Sequence, residues 1–213
     1  MDTDARHTRP TERDGSPAPS TGRGSRSRSV RVGAVAAAAA LVLSLVHAFV
    51  AEPFRIPSDS MANTLRTGDR ALVNKLAYRF GNLPRRGDVV VFDGTGSFDR
   101  EPSEGTDYVK RVVAVGGDRV TCCDERGRIE VNGQPVNEAY LHPGDRPSAV
   151  PFDVEVPAGR LWVMGDHRSR SRDSRDHLGA PGGGTVPVDR VIGRVDWVVW
   201  PADRWTSLRG RHG

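Results

Sequence analysis

The sequence is poor in lysine and in cysteine, and each shortage limits what the protein can be. Its 31 basic residues are almost all arginine, since only Lys75 and Lys110 are lysines. The two cysteines are neighbours, Cys122 and Cys123, and a bridge between adjacent residues departs from relaxed disulfide geometry. Neither a disulfide-stapled fold nor a cysteine zinc site is indicated. We interpret the pair as two strand residues with one side chain on each face, and a redox switch is the alternative.

A long amphipathic helix and a repeat of fixed period are also missing from the chain. The 213 residues, with a formal charge of +4, are enough for one modest folded domain with appendages. After residue 51, short apolar segments alternate with turn residues, and Asn132-Gly133 between extended residues is a strong hairpin signal. This pattern predicts a mainly β domain. The predicted strands are 71–78, 88–92, 108–115, 119–123, 128–131, 160–164 and 190–200.

The first 31 residues are rich in Arg, Ser, Thr, Pro and Gly and have almost no apolar content. Such a segment cannot bury enough surface to offset the entropy of ordering, so we predict a disordered basic tail. Its "RGSRSRS" and the later "RSRSRDSR" are typical of arginine-serine low-complexity segments, which makes an RNA-associated role one alternative.

Residues 32–51, "VGAVAAAAALVLSLVHAFVA", have no formal charge over a length that can cross a bilayer as a helix. Four arginines precede this run, whereas acids and a base follow it in near balance. The sequence therefore predicts a single transmembrane anchor with the tail in the cytoplasm and residues 52–213 outside. A cleaved signal peptide is the alternative, although the apolar run is longer than the usual apolar region of such a peptide.

The stretch "IPSDSMANTLRTGD" directly after the anchor contains Ser58 and Ser60. One interpretation is structural: Ser58, Asp59 or Ser60 caps a short helix over 61–66, and Gly68 ends it. The other is catalytic, because a serine at a helix start lies among free backbone N–H groups that can stabilise an oxyanion. A serine nucleophile also needs a base. No histidine of the sequence stands in a recognisable triad context.

Lys110 is the candidate base. In "DYVKRVVAV" the two-residue period of a strand places Tyr108, Lys110 and Val112 on one face and Arg111 on the other. Burial on an apolar face would lower the pKa of this amine toward neutrality, which costs on the order of 4 kcal/mol for a shift of roughly three units. The alternative is an ordinary strand lysine whose amine reaches the solvent.

The segment "GDHRSRSRDSRDHLG" at residues 165–179 mixes arginines with acids and histidines. Read alone, it is a solvated, charge-rich loop with surface ion pairs, or a set of phosphate contacts for a nucleic acid. The acids dilute the positive field, and the predicted topology places the segment outside the cell. We therefore expect no nucleic-acid partner.

Taken together, "IPSDSM", "TLRTGD", "YVKRVVAVGGD" and the third segment resemble the bacterial type I signal peptidases, membrane-anchored serine endopeptidases. The resemblance covers most of residues 49–201. It implies coiled antiparallel β-sheets of the signal peptidase and LexA-like type with one N-terminal transmembrane helix. It also implies a hydrolase that cleaves signal peptides from exported preproteins after small residues and needs neither cofactor nor metal.

Carried over residue by residue, the resemblance makes Ser60 the nucleophile and Lys110 its general base. Ser58 and the Ser60 N–H would stabilise the oxyanion. Supporting roles fall on one serine and one ion pair of the third segment, Ser171 and Asp173 with Arg175. The residues that would line shallow substrate pockets are Phe54, Ile56, Met61, Leu65, Tyr108 and Val109.

The sequence departs from the family pattern at three positions: Asn63 and Gly117 stand where the family usually has proline, and His167 where it has asparagine. These changes put substrate preference in question more than activity. The implied domains are a cytoplasmic tail (1–31), an anchor (32–51) and an extracytoplasmic peptidase domain (52–213), with signal peptides and the bilayer as partners. A processing peptidase dedicated to one secretion or pilus substrate, and a non-catalytic membrane-tethered binding domain, remain the alternatives.

Overall fold

The computed structural model of the protein describes residues 23–99 and 107–209. The chain divides into two units between Leu43 and Ser44. Most of the predicted tail lies outside the described residues. The fold of the second unit carries the site.

One α-helix, α1, spans Arg23–Phe49 and so begins inside the segment predicted to be a disordered tail. Arginine has a high helix propensity, and extending a helix that has already been nucleated costs little, which is why the arginine-serine residues before 32 can join it. Within the part of the chain that is described, no helix has the length and apolar character needed to span a bilayer. The predicted transmembrane anchor therefore stays a prediction.

The second unit is mainly β, as the sequence predicts. Its strands are β1 (Ala51–Arg55), β2 (Arg70–Asn74), β3 (Val89–Asp93), β4 (Asp107–Val115), β5 (Arg119–Cys122), β6 (Ile129–Val131), β7 (Gln134–Pro135), β8 (Phe152–Glu155), β9 (Arg160–Met164), β10 (Val186–Pro187), β11 (Val191–Trp200) and β12 (Thr206–Ser207). Short 3-10 turns occur at Asp59–Met61, Arg168–Arg170, Ser174–His177, Val188–Arg190 and Ala202–Arg204.

The larger sheet has the strand order β1-β2-β11-β3-β4-β9-β10, with β12 paired to β11, and its ladders are antiparallel. Strand β4 is internal, between β3 and β9, and Lys110 lies opposite Val90 of β3. An internal strand can hold a side chain away from water on a packed face. This position is what buries Lys110.

The smaller sheet has the order β7-β6-β5-β8 and is also antiparallel. Asn132 and Gly133 join β6 to β7, and both have positive φ values, 55° and 72°. Two consecutive left-handed residues are what a type I′ hairpin turn requires. The hairpin predicted from Asn132-Gly133 is confirmed.

The first two strands of the structure differ from the prediction. The strand predicted over 71–78 ends at Asn74, because the Asn74 side chain accepts a hydrogen bond from the Leu76 N–H (3.0 Å) and starts a turn. Strand β1 was not predicted, since Pro53 within it argues against a strand. The structure accommodates Pro53 because β1 is the edge of the sheet.

The structure joins Cys122 and Cys123 in a disulfide, so the interpretation of two free strand thiols on opposite faces is wrong. That interpretation assumed that both residues continue the strand. Strand β5 ends at Cys122, and beyond its end the alternation of faces no longer separates the two side chains.

Candidate active site

Ser60 lies in a tight 3-10 turn rather than at the start of the helix predicted over 61–66. The turn spans Asp59–Met61, and Ser58 precedes it in an extended conformation without a side-chain capping hydrogen bond. Backbone hydrogen bonds between Ile56 and Asp69 (2.9 Å) and between Gly68 and Ile56 (2.9 Å) close the loop at its base. These backbone hydrogen bonds hold the loop, and Ser58 does not cap the turn.

The structure brings Ser60 and Lys110 together across 50 residues of sequence. The Lys110 Nζ lies 2.9 Å from the Ser60 Oγ, and both side chains are buried, with 4% and 8% of their surface exposed. Burial lowers the pKa of Lys110 to about 8, although nearby carboxylates, Asp173 first, act in the opposite direction. A lysine with such a pKa is neutral in a useful fraction of molecules near neutral pH.

The strand alternation predicted for Lys110 holds around the site. The Lys110 amine lies over the Tyr108 ring, 5.9 Å from its centroid, so the two share a face. Arg111 points to the other face, as predicted, but it is also buried, with 2% of its surface exposed. The burial of Arg111 was not predicted.

Arg111 is paired with Asp166, an acid that the sequence predicts to lie in a solvated loop. The guanidinium donates to the two Asp166 carboxylate oxygens at 2.8 and 2.7 Å and to the Gly87 carbonyl at 2.8 Å. Thr64, four residues after Ser60, donates its hydroxyl to the same carboxylate. The network ties the nucleophile loop, β4 and the end of β9 together. The sequence signal that could have identified Asp166 was its position two residues after the apolar strand that ends at Met164.

The third segment is held by the ion pair predicted between Asp173 and Arg175, which the structure contains at 2.8 Å. Burial alone would raise the pKa of Asp173, but hydrogen bonds from Arg175 and from the Gly165 N–H hold the pKa of that carboxyl below its usual range. The Arg175 side chain is only 7% exposed, and Arg168 is buried in an ion pair with Glu138. Two of the arginines of "RSRSRDSR" are therefore internal.

Gly165 sets how closely the third segment approaches the nucleophile. A Cβ at this position would collide with the Ser60 carbonyl oxygen and the Ser171 Oγ. Ser171 is buried against Gly165. The predicted role of Ser171 in orienting Lys110 stays a prediction.

Ser58 and the predicted pocket residues lie around the same turn. The exposed Ser58 has its Oγ 3.4 Å from the Ser60 Oγ. Three of the predicted pocket residues are fully buried, whereas the other three are half-buried. The buried ones are Ile56, Met61 and Leu65, and the half-buried ones are Phe54, Tyr108 and Val109.

At two of the three departures from the family pattern, the backbone excludes proline. Asn63 has φ 90° and Gly117 also has φ 90°. Proline fixes φ near −65°, so neither turn could keep its conformation with proline. Asn63 also donates to the Tyr140 and Leu141 carbonyls, at 3.1 and 3.0 Å, and so anchors the nucleophile loop to that segment.

A buried serine hydroxyl in contact with a buried amine of lowered pKa, within a β fold, is the arrangement that a serine hydrolase with a lysine base requires. The family model described as "Signal peptidase, peptidase S26" matches residues 29–200. The chain therefore belongs to the signal peptidase family S26, and it is a serine protease. The predicted relationship to the bacterial type I signal peptidases is confirmed.

Named relatives agree with this family. Signal peptidase I of Mycobacterium tuberculosis (strain H37Rv) is 41% identical over 204 residues, covering 76% of this chain and 69% of that protein. Signal peptidase IB of Staphylococcus aureus (strain N315) is 33% identical over 177 residues, covering 76% and 84%. The solved structure of a signal peptidase I from Enterococcus faecalis V583 is 24% identical and covers 53% of this chain and 96% of that chain, with a TM-score of 0.40.

Proposed function

We propose that this protein is a membrane-anchored signal peptidase of the LexA-like fold type that cleaves exported preproteins with a Ser60-Lys110 dyad. The observation that carries the proposal is the 2.9 Å contact between the Lys110 Nζ and the Ser60 Oγ, both buried. The relatives named signal peptidase I support signal peptides as the substrate.

In this mechanism the neutral amine of Lys110 takes the proton of the Ser60 hydroxyl as the Oγ attacks the scissile carbonyl carbon. The tetrahedral intermediate collapses when its C–N bond breaks, and the Lys110 ammonium gives its proton to the leaving amine. Water then hydrolyses the Ser60 ester, with Lys110 again accepting and returning a proton. The amine therefore ends each cycle neutral.

The negative oxygen of the intermediate needs donors, and we assign this role to the Ser58 hydroxyl and the Ser60 N–H. The exposed Ser58 lies next to the nucleophile, with its Oγ 3.4 Å from the Ser60 Oγ. Preorganised donors of this kind are worth roughly 10²–10³-fold in kcat each. The ion pair of Asp173 with Arg175, together with Ser171, would hold the third segment so that Lys110 keeps its position.

The packing supports the proposed selection of small residues before the cut. The half-buried Phe54, Tyr108 and Val109 can still present surface to a substrate, whereas the buried Ile56, Met61 and Leu65 would form the floor behind them. A shallow pocket with a rigid floor admits small side chains and rejects large ones.

We further propose that residues 32–51 anchor the enzyme, with residues 1–31 in the cytoplasm and 52–213 outside. The apolar side chains of α1 between Val32 and Leu45 are exposed, for example Val35 (70%) and Leu43 (69%). An anchor that ends nine residues before Ser60 in the sequence would hold the nucleophile near the membrane surface, which raises its effective concentration at the site where preproteins emerge.

The direct test is incubation of the detergent-solubilised full chain with a preprotein, with mass spectrometry locating the cut. Ser60→Ala and Lys110→Met should each lower the cleavage rate by about 10⁴-fold or more. Lys75→Met is the matched control, because it removes the other lysine, and it should keep wild-type activity. Near-full activity of Lys110→Met would reject the dyad. A wild-type chain that cleaves no preprotein would favour a non-catalytic binding domain.

The rate should depend on pH through Lys110. Since its pKa is lowered to about 8, kcat/KM should rise from pH 7 to pH 9 with an apparent pKa near 8 and then level off. A rate that increases tenfold per pH unit up to pH 10 would show an unperturbed lysine.

Two further measurements address substrate range and anchoring. A panel of preproteins separates a general enzyme, which cuts most of them, from a peptidase dedicated to one substrate. Alkaline extraction of membranes tests the anchor: the full chain should remain in the pellet, and a chain lacking residues 32–51 should be released. Release of the full chain would contradict the anchor.

A further inference from the structure

Two histidines and an aspartate form a cluster beside the nucleophile loop that the dyad does not use. His142, Asp145 and His167 are half-buried, and one potential ligand atom from each lies within 4.8 Å of the others. The two histidines are 25 residues apart in sequence and belong to separate loops. Only the tertiary structure brings them together, which is why the sequence predicted no metal site.

The backbone of this cluster is fixed by hydrogen bonds. The His142 N–H donates to the Asp166 carbonyl (2.9 Å), the Asp145 N–H to the His142 carbonyl (3.0 Å), and the His167 N–H to the Ser60 carbonyl (3.0 Å). A ligand set on a fixed backbone loses little conformational freedom when an ion binds.

The ring contacts of His167 leave one nitrogen for an ion. Its Nδ1 lies 3.2 Å from the Asp59 carbonyl oxygen. Because a carbonyl oxygen can only accept, Nδ1 carries the proton of this contact, and the lone pair is left on Nε2. A histidine whose other nitrogen donates to a carbonyl is the usual arrangement around protein-bound metals.

The other two members offer a carboxylate oxygen and a ring nitrogen. The Asp145 carboxylate accepts from the Ser169 N–H through Oδ2 (3.2 Å), which leaves Oδ1 available. The His142 ring stacks on the His167 ring with centroids 3.9 Å apart and an interplanar angle of 10°. Because an imidazole lone pair lies in its ring plane, two parallel rings cannot both face one ion. The His142 ring would rotate out of the stack to bring its nitrogen about 3.3 Å from the His167 Nε2, as tetrahedral zinc requires.

We propose that His142, Asp145 and His167 form a binding site for a borderline divalent transition-metal ion, with Zn²⁺ the best match. Two imidazoles and one carboxylate suit zinc, whereas calcium and magnesium prefer oxygen ligands throughout. Three protein ligands leave a fourth position for water. Arg170, three residues after His167, is paired with the Asp59 carboxylate at 3.6 Å.

The ion would clamp the loop at His142–Asp145 to the nucleophile loop, because His167 contacts the Asp59 and Ser60 carbonyls through its ring and its backbone. The site is separate from the dyad and does not depend on the proposed function. Its expected effect is therefore on binding and on stability, both of which can be measured without a substrate.

The first test is equilibrium dialysis of the untagged full chain in detergent against ZnCl₂, with bound metal measured by mass spectrometry. One Zn²⁺ per chain should bind. His142→Asn and Asp145→Asn should each weaken binding at least about tenfold. His177→Asn is the matched control, since His177 stacks on Phe98 outside the cluster, and it should bind as the wild type does. No stoichiometric binding, or binding that both cluster variants retain, would overturn the site.

A second measurement needs no variant and so does not depend on whether a variant folds. Diethyl pyrocarbonate modifies accessible imidazoles, and mass spectrometry can locate the modified histidines in the wild-type chain. Zn²⁺ should slow modification of His142 and His167 at least about tenfold and leave His177 unchanged. Equal rates with and without Zn²⁺ at the two cluster histidines would reject the proposal.

Discussion

The two sheets of this protein differ in whether their charged side chains are buried or exposed. Around the larger sheet, charged side chains are buried and paired, as in Arg111 with Asp166, whose side chains are 3% and 0% exposed. On the smaller sheet the charges are outside, as in Arg119 with Asp153 at 67% and 53%, and the interior is apolar, with Ile129 and Phe152.

This difference separates the part of the protein that holds the candidate site from the part that supports it. A buried charge costs several kcal/mol of desolvation unless partners compensate, and apolar packing would usually serve stability as well. The buried amine of Lys110, and the Arg111–Asp166 pair tied to the nucleophile loop through Thr64, therefore support the candidate site.

Breaking the buried pair should give the largest effect on stability. Asp166→Ala leaves the Arg111 guanidinium buried without its carboxylate, and we expect a loss of about 3–5 kcal/mol in the free energy of unfolding. Urea denaturation of the variant measures it. A loss below about 1 kcal/mol would mean that Arg111 reaches water in the folded state.

Removing the buried amine of Lys110 should change the free energy of unfolding in the opposite direction. The pKa of Lys110 in the folded state, about 8, lies below its ordinary value of 10.5, so the folded state carries a penalty on the order of 3 kcal/mol below pH 8. Lys110→Met should therefore raise the free energy of unfolding while it abolishes cleavage. Because wild-type stability rises with pH between about 8 and 10.5, the advantage of the variant should shrink over that window.

A comparison of urea denaturation at pH 7 and pH 10 checks this prediction. Lys75→Met, which removes the other lysine, serves as the control. A Lys110→Met variant that is less stable than the wild type at pH 7 would contradict it.

The core of the smaller sheet should respond to volume alone. Ile129 is fully buried, and Ile129→Val removes one methylene group, which we expect to cost about 0.5–1.5 kcal/mol without changing kcat/KM. Chemical denaturation and a cleavage assay measure the two quantities. A change in kcat/KM larger than twofold would show that the smaller sheet is coupled to the site.

The surface pair of the smaller sheet should contribute least. Asp153→Ala removes the exposed partner of Arg119 and should leave the unfolding midpoint and the cleavage rate unchanged. A clear drop in the unfolding midpoint would show that the exposed Arg119–Asp153 pair contributes to stability, contrary to the contrast drawn between the two sheets.

Local patterns in the sequence were enough to predict much of the fold. The Asn132-Gly133 hairpin, strand β9 and the apolar face that carries Lys110 follow from turn chemistry and from the two-residue strand period, which act over a few residues. The pairing of Asp173 with Arg175 is likewise local. Strand β1 was missed because Pro53 is tolerated only at the edge of a sheet, and which strand is at the edge is a property of the assembled sheet.

The sequence by itself determined that Ser60 and Lys110 are candidates for chemistry, because their neighbours resemble known motifs and the chain offers few other lysines. Only the tertiary structure decided that Asp166 is buried under Arg111, that Cys122 is bonded to Cys123, and that His142 meets His167. The physical reason is that burial and contact depend on strand order and on loop paths. Residues far apart in the chain set both, and no short window of sequence contains them.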